Sequence, residues 1–297
     1  MTTTSPLITL NNGVEMPALG LGVFLAPPAQ TADAVETAIA CGYRLVDTAA
    51  AYNNERQVGE GIRRSGIARS EIFVTTKLWV ADYGDESARS AFEASLRRLG
   101  LDYIDLYLLH WPLPTDFAAT VASYKVAEKL LAEGRVRAIG VSNFQPRHLE
   151  NLIDRTDIVP AVNQVELNPY FTEQTVCNAN ERHGIVTQAW SPIGGVYDRN
   201  QSTGISTRPL DNPVIGKLAS RYGKTAAQVI LRWHLDHGFS AIPKSVTPSR
   251  IAENFDVFDF VLAPDEIAAI DALDTGMRAG GDPEKFDRDS YAVTIDD

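Results

Sequence analysis

A chain of 297 residues with 44% hydrophobic and 22% charged residues has the balance of an ordinary globular protein and enough material for a large core. Its 27 basic and 38 acidic residues leave a net charge of −11, which argues against broad binding to nucleic acid or an anionic membrane but leaves room for a local phosphate site. Cys41 and Cys177 alone argue against a disulfide framework or a cysteine zinc site; no apolar run is membrane-spanning and no signal peptide is indicated, so a cytoplasmic setting is expected.

Ile8-Thr9-Leu10 and Val14-Glu15-Met16 flank Asn11-Asn12-Gly13. Asn-Gly supplies the positive φ angles of a tight turn, so a hairpin is predicted over 8–16, ended by Pro17. Ala18 to Gly22 is the first candidate barrel strand. Seven more short apolar runs follow, at Leu45–Asp47, Phe73–Lys77, Tyr103–His110, Val136–Val141, Val162–Glu166, Ile185–Trp190 and Ser240–Pro243. Helical spacing fills the gaps at Thr31–Ala40, Glu55–Arg64, Asp85–Leu99, Phe117–Ala132, Pro146–Ile153 and Glu173–His183. A Gly/Ser/Thr-rich loop from Ser191 to Asp211 precedes helices at Pro213–Tyr222 and Ala226–His237. Two more, Pro248–Phe255 and Pro264–Leu273, lead into an irregular tail.

Alternation of this kind implies a parallel sheet with helical crossovers. Eight units in this length predict an α/β (β/α)8 TIM barrel with an N-terminal β-hairpin and additional C-terminal helices and tail. An open doubly wound sheet is the alternative. With no linker or shift of composition, one domain is expected over 1–297: hairpin 8–16, barrel 18–256, and C-terminal helix and tail 264–297.

In such barrels the active site lies at the C-terminal strand ends. Asp47, Lys77 and His110 each end an apolar run, and Tyr52 lies in the turn after Asp47. A phenol with a pKa near 10 is a poor acid at neutral pH, and a nearby ammonium would lower it. A carboxylate would hold that ammonium charged, and an imidazole could donate to a substrate oxygen. Together they suit protonation of an alkoxide forming from a carbonyl. Singly, each has a plainer role as cap, surface charge or packing residue; their shared rim favours the site.

The residues also resemble a family. Asp47-Thr48-Ala49-Ala50-Ala51-Tyr52-Asn53-Asn54-Glu55 is similar to the signature loop of the aldo-keto reductases. Leu106 to Pro112, Gly140-Val141-Ser142-Asn143-Phe144 and Ile242-Pro243-Lys244-Ser245 resemble three more of its motifs, in the family's order, within a match from about Ile8 to Phe286. The bacterial branch that includes 2,5-diketo-D-gluconate reductases looks nearest. The resemblance implies a monomeric NADPH-dependent barrel without metal. In it Tyr52 is the general acid, Lys77 and Asp47 tune it, and His110 orients the carbonyl of a small-molecule substrate.

Gly20-Leu21-Gly22-Val23-Phe24-Leu25 starts like a dinucleotide fingerprint but fails at its third glycine, which counts against a doubly wound dehydrogenase. Lys244, Ser245, Thr247 and Arg250 instead cluster before a helix, two cations and two hydroxyls suited to a phosphate. The resemblance makes it the 2′-phosphate of NADPH, with Glu253 and Asn254 near the adenine. It sets Ser142, Asn143 and Gln164 on the nicotinamide carboxamide, Trp190 against its ring, Ser191 at the start of the pyrophosphate loop, and Gly22 and Val23 on the same cofactor side. Phe24, Trp79 and Trp111 are candidate walls of an aromatic substrate pocket. Arg278, in the tail that helps select substrate in this family, could meet a substrate carboxylate or pair with the tail's own acids. Two rivals stand beside the reductase: a non-catalytic NADPH-binding protein of the same fold, and a metal-dependent barrel hydrolase using His234 and His237, for which no third ligand is evident.

Overall fold

The computed structural model describes residues 4–195, 208–290 and 293–296. Most of the loop expected over 191–211 lies outside them, as do Tyr291, Ala292 and Asp297 of the tail. Strands β1 (Leu7–Thr9) and β2 (Glu15–Pro17) form the antiparallel hairpin. Eight parallel strands follow: β3 (Leu21–Gly22), β4 (Leu45–Asp47), β5 (Phe73–Leu78), β6 (Ile104–Leu109), β7 (Val136–Ser142), β8 (Val162–Glu166), β9 (Val186–Trp190) and β10 (Ser240–Ala241). They pair in sequence order. Bridges Leu19 to Ala241 and Gly22 to Lys244 join the first strand to the last and close the ring.

The closing seam is shorter than the sequence predicts at both edges. Pro243 has no amide hydrogen and cannot extend the ladder, yet its carbonyl accepts from Gly22 N at 3.1 Å. The two backbones approach so closely there that a Cβ on Gly22 would lie 2.6 Å from the Ile242 carbonyl oxygen. Only glycine fits that position.

Between strands run α1 (Pro28–Cys41), α2 (Glu55–Arg64), α3 (Asp85–Leu99), α4 (Phe117–Ala132), α5 (Pro146–Ile153) and α6 (Gln174–Arg182). Helices α7 (Pro213–Tyr222) and α8 (Ala226–Asp236) separate β9 from β10, and α9 (Pro248–Phe255) and α10 (Pro264–Asp271) follow. Proline at the first turn starts α1, α5, α7, α9 and α10, while Gly42, Gly100 and Gly223 end α1, α3 and α7 in the left-handed conformation.

Side chains alternate across each strand. Val46, Val74, Tyr107 and Leu109 face outward into the core shared with the helices. Leu45, Phe73, Leu106, Leu108, Ala138, Val162 and Ile242 fill the barrel with Leu10 and Met16 of the hairpin region, which therefore plugs its N-terminal end. Continuing that inward parity to the other end of each strand reaches Asp47, Lys77, His110, Ser142, Gln164, Glu166 and Lys244. One period-two rule thus fills the barrel below and places polar groups at its mouth.

Candidate active site

At that mouth Lys77 Nζ donates to Asp47 Oδ2 at 2.6 Å and to Thr48 O at 2.9 Å, and approaches Tyr52 Oη at 3.4 Å. Both charged partners are buried, Lys77 wholly. The register that brings them together pairs Asp47 with Thr75, two residues before Lys77 on the same face. Tyr52 ends a short 3-10 turn, Ala50–Tyr52, and Asn53 follows in the left-handed conformation that asparagine tolerates. Asn54 fixes the turn from below: it donates to Val23 O at 2.9 Å and accepts from Thr48 Oγ1 at 2.8 Å. The His110 ring lies edge-on to Tyr52 with centroids 5.5 Å apart, and Trp79 flanks its other side at 5.1 Å.

Burial sets the proton affinities. It pushes the Lys77 ammonium down and the Asp47 carboxyl up, and contact between the two opposes both shifts. Burial, followed by the charge of Lys77, drives His110 well below the usual histidine range. Its imidazole is neutral at pH 7, with one nitrogen carrying hydrogen. Nδ1 is buried and has no hydrogen-bond partner. Tyr52 departs from expectation. Burial and then the Asp47 charge raise its phenol well above 10, where the ammonium was expected to lower it. Burial is the larger cause and outweighs the nearby ammonium, so Tyr52 keeps its proton at neutral pH.

Behind the tetrad lies a polar layer. Gln164 Nε2 donates to Asp47 Oδ1 and to Gln188 Oε1, each at 2.7 Å. Ser142 Oγ donates to Gln164 O at 2.8 Å. Asn143, at φ 65°, donates to His110 O at 3.0 Å and accepts from Trp190 Nε1 at 2.8 Å. Of the residues expected around the carboxamide, Gln164 and Asn143 are thus bonded to the tetrad, and Ser142 is bonded to those two.

A cleft of about 790 Å³ runs from Tyr52, Trp79, His110 and Trp111 past Ser142, Asn143, Gln164, Trp190 and Ser191 to Lys244, Ser245, Thr247, Arg250, Glu253 and Asn254. Gly22 and Phe24 border it too, and the Phe24 ring is 4.9 Å from that of Tyr52. Val23 does not border it. Its side chain is in the core, its amide donates to Asp47 O at 3.1 Å, and its carbonyl is taken by Asn54. Lys244 and Arg250 are exposed and, among the described residues, make no ion pair. In an acidic chain, two such cations beside Ser245 and Thr247 are suited to a phosphate group.

Several groups at the cleft or behind its walls were not foreseen. Glu166 and Gln188 follow the same inward parity as Gln164, and that alternation was the signal available for them. Gly280 and Gly281 border the cleft, and Phe286 stacks on Trp111 with centroids 4.3 Å apart and planes 1° from parallel. One face of Trp111 is thus already covered. Arg278 pairs with Glu173, just before α6, over the Phe171 ring, and among the described residues it makes no ion pair with an acid of the tail. His234 Nε2 bonds to Pro192 O and His237 Nε2 to Asp271 Oδ1, each at 2.9 Å, so this histidine pair is engaged in structural contacts.

Comparison with known proteins agrees with the geometry. The Aldo/keto reductase family profile matches residues 19–275. The chain belongs to this family. It is 58% identical to a morphine 6-dehydrogenase of Pseudomonas putida over 98% of its own length and 99% of that protein's. It is 46% identical to a methylglyoxal reductase of Escherichia coli, covering 94% and 98%. An aldo-keto reductase of Bombyx mori in complex with NADP superposes with a TM-score of 0.86 at 37% identity, covering 93% and 95%. An aldo-keto reductase of Brucella melitensis gives 0.85 at 44% identity, covering 91% and 100%. The family member described here is an NADPH-dependent oxidoreductase of carbonyl chemistry. Among the described residues, no helix is long and apolar enough to cross a membrane.

Proposed function

We propose that the enzyme reduces aldehydes and ketones to alcohols with Tyr52 as general acid. The observation that carries the reading is the Asp47–Lys77–Tyr52 chain beside a neutral His110, at the end of a cleft matched to a phosphorylated dinucleotide. NADPH, when bound, supplies the hydride. Lys244, Ser245, Thr247 and Arg250 would hold its 2′-phosphate, with Glu253 and Asn254 toward the adenine. Ser142, Asn143 and Gln164 would take the carboxamide, with Trp190 against the ring and Gly22 and Ser191 alongside.

The chain's own residues manage the proton and the carbonyl. His110 is held neutral by burial and beside Lys77, so it can donate a hydrogen bond to the substrate oxygen and place it near Tyr52 Oη. Tyr52 retains its proton until negative charge develops on that oxygen, then gives it up. Lys77 stabilises the phenolate left behind, and Asp47 keeps the ammonium charged and aimed. Phe24, Trp79 and Trp111 line the substrate side and exclude water.

The relatives' names suggest two substrate groups: small dicarbonyls, as in methylglyoxal reductase, and a secondary alcohol on a polycycle, as in morphine 6-dehydrogenase. Keto-sugar acids and simple aldehydes are further candidates. The same proton path run backwards oxidises an alcohol, so both directions belong in the assay. NADPH consumption over aldehydes, α-dicarbonyls, keto esters and keto-sugar acids, and NADP reduction with cyclic alcohols, tests the reading. Tyr52→Phe should bind NADPH within about threefold of wild type and lose roughly a thousandfold in kcat. Wild-type turnover in that variant would refute the proton-donor role. Tight NADPH binding with no turnover of any carbonyl or alcohol would favour a binding protein.

A further inference from the structure

Glu166 is a charged side chain at the barrel mouth with no part in the proton path. It ends β8, points inward like Gln164, and is almost wholly buried. A buried carboxylate needs donors, and both of its oxygens have one. Oε1 accepts from Ala279 N at 2.9 Å and Oε2 from Gly280 N at 2.8 Å. The donors belong to a segment more than a hundred residues away that crosses the mouth. Its near end is tied by Arg278 to Glu173, and its middle by Glu284 to Arg147. Its far end is tied by Arg288, which donates to Val80 O at 2.9 Å.

What the segment covers gives the clasp its meaning. A Cβ on Gly280 would stand 2.4 Å from Trp190 Cη2 and 2.9 Å from Glu166 Oε2, and one on Gly281 3.3 Å from Trp111 Cη2. The backbone therefore lies directly on the two indoles that border the cofactor and substrate ends of the cleft. Phe286 completes the cover by stacking on Trp111 and meeting Trp79 edge-on at 5.9 Å. Moving the 279–286 strap by one side-chain width would uncover Trp111 and widen the pocket, without moving Tyr52, Lys77 or His110.

We propose that Glu166 is a specificity-determining positioning residue: by gripping the amides of Ala279 and Gly280 it holds the 279–286 strap on Trp190 and Trp111 and thereby fixes the room available to the substrate. The proposal rests on the reductase reading for its consequence and on geometry for the clasp itself. Small, flat carbonyl compounds gain contact from a closed strap; bulky ones are penalised by it. Loosening the clasp shifts preference toward bulk, chiefly through KM.

Glu166→Gln keeps the volume but turns one acceptor into a donor facing an amide N–H. Gly280→Ala attacks the same contact from the strap and leaves Glu166 intact. In each variant, hydrogen exchange of peptides covering 278–286 should accelerate by about tenfold while β5 and β6 exchange as in wild type. The ratio of KM for propanal to KM for 2-naphthaldehyde should rise by about fivefold or more, with kcat changed by less than about threefold. Unchanged exchange in both variants overturns the clasp, and a uniform fall in kcat with an unchanged KM ratio overturns its role in specificity. Should Glu166→Gln fail to fold, Gly280→Ala decides both points. Should the wild type reduce no carbonyl at all, the reductase reading fails, and the exchange data still show whether Glu166 holds the strap.

Discussion

The barrel rim and the strap laid across it reach the same cleft by opposite routes. Asp47, Lys77 and Gln164 stand on parallel strands and His110 directly follows one, each an even number of residues beyond a buried apolar side chain, and adjacent hydrogen-bonded strands fix their separation. Gly280 and Phe286 belong to no strand or helix, and they are placed by a carboxylate, a few ion pairs and one stacked ring. A rim residue cannot move without the sheet, whereas no sheet or helix fixes the strap. The rim is therefore suited to set chemistry common to all substrates and the strap to choose among them.

Damage to the rim should be severe and blind to substrate size. Lys77→Met removes the cation from a buried pair, leaves Asp47 uncompensated, and takes away the charge that stabilises the Tyr52 phenolate. We expect kcat to fall by roughly a thousandfold or more for small and bulky carbonyls alike, and stability to fall by about 3–5 kcal/mol. Steady-state kinetics across aldehydes of graded size, with denaturant unfolding, checks this. A loss confined to one size class would erase the division between rim and strap.

The cofactor end offers an intermediate case. Lys244→Ala with Arg250→Ala removes two cations that meet no carboxylate among the described residues, so the protein itself should lose little stability. The NADPH dissociation constant should rise by about thirtyfold or more, with NADH affected by less than about threefold, because only NADPH carries the 2′-phosphate. Fluorescence titration with both cofactors measures it. The KM ratio between small and bulky carbonyls should stay put, since neither residue touches the strap; a changed ratio would show that the two ends of the cleft communicate.

The same division explains what could be read from the sequence. Period-two alternation and strand ends suffice to find Asp47, Lys77, His110 and Gln164, and the motif order names the family. That alternation also reaches Glu166, but a glutamate at a strand end carries no sign of what it will grip. Ala279 and Gly280 are more than a hundred residues further on, and the contact exists only once the barrel closes. Val23 shows the opposite limit. It neighbours Gly22 in sequence, yet Asp47 and Asn54 take up its backbone, and alternation turns its side chain into the core. The proton affinity of Tyr52 needed coordinates as well: the sequence places a lysine nearby, but only the fold shows that burial of the phenol, and then the charge of Asp47, outweigh it.

The mildest expected effect concerns acid, and it touches both regions. His148 is packed behind Phe117 and Phe144 and lies 3.7 Å from Glu284 of the strap; burial, then the charge of Arg147, pushes it down to about 4. His234 in α8 is also pushed down to about 4, by burial first, and bonds to Pro192 O. A histidine held below its unfolded value of about 6.5 is neutral in the native state while the unfolded chain takes up a proton, so its stabilising share is complete above about pH 6.5 and is lost as pH falls toward 4. Each contributes up to about 1.4 kcal/mol per pH unit across that window. His234→Gln, which keeps a donor for Pro192 O, should flatten the slope by about 1 kcal/mol per pH unit between pH 6 and 4.5, read from urea midpoints. His148→Asn should flatten it less, because His148 is less completely enclosed. If His148→Asn also speeds exchange in the strap at pH 7, where His148 is neutral, then its packing beside Glu284 helps hold the strap and the clasp at Glu166 has a second support.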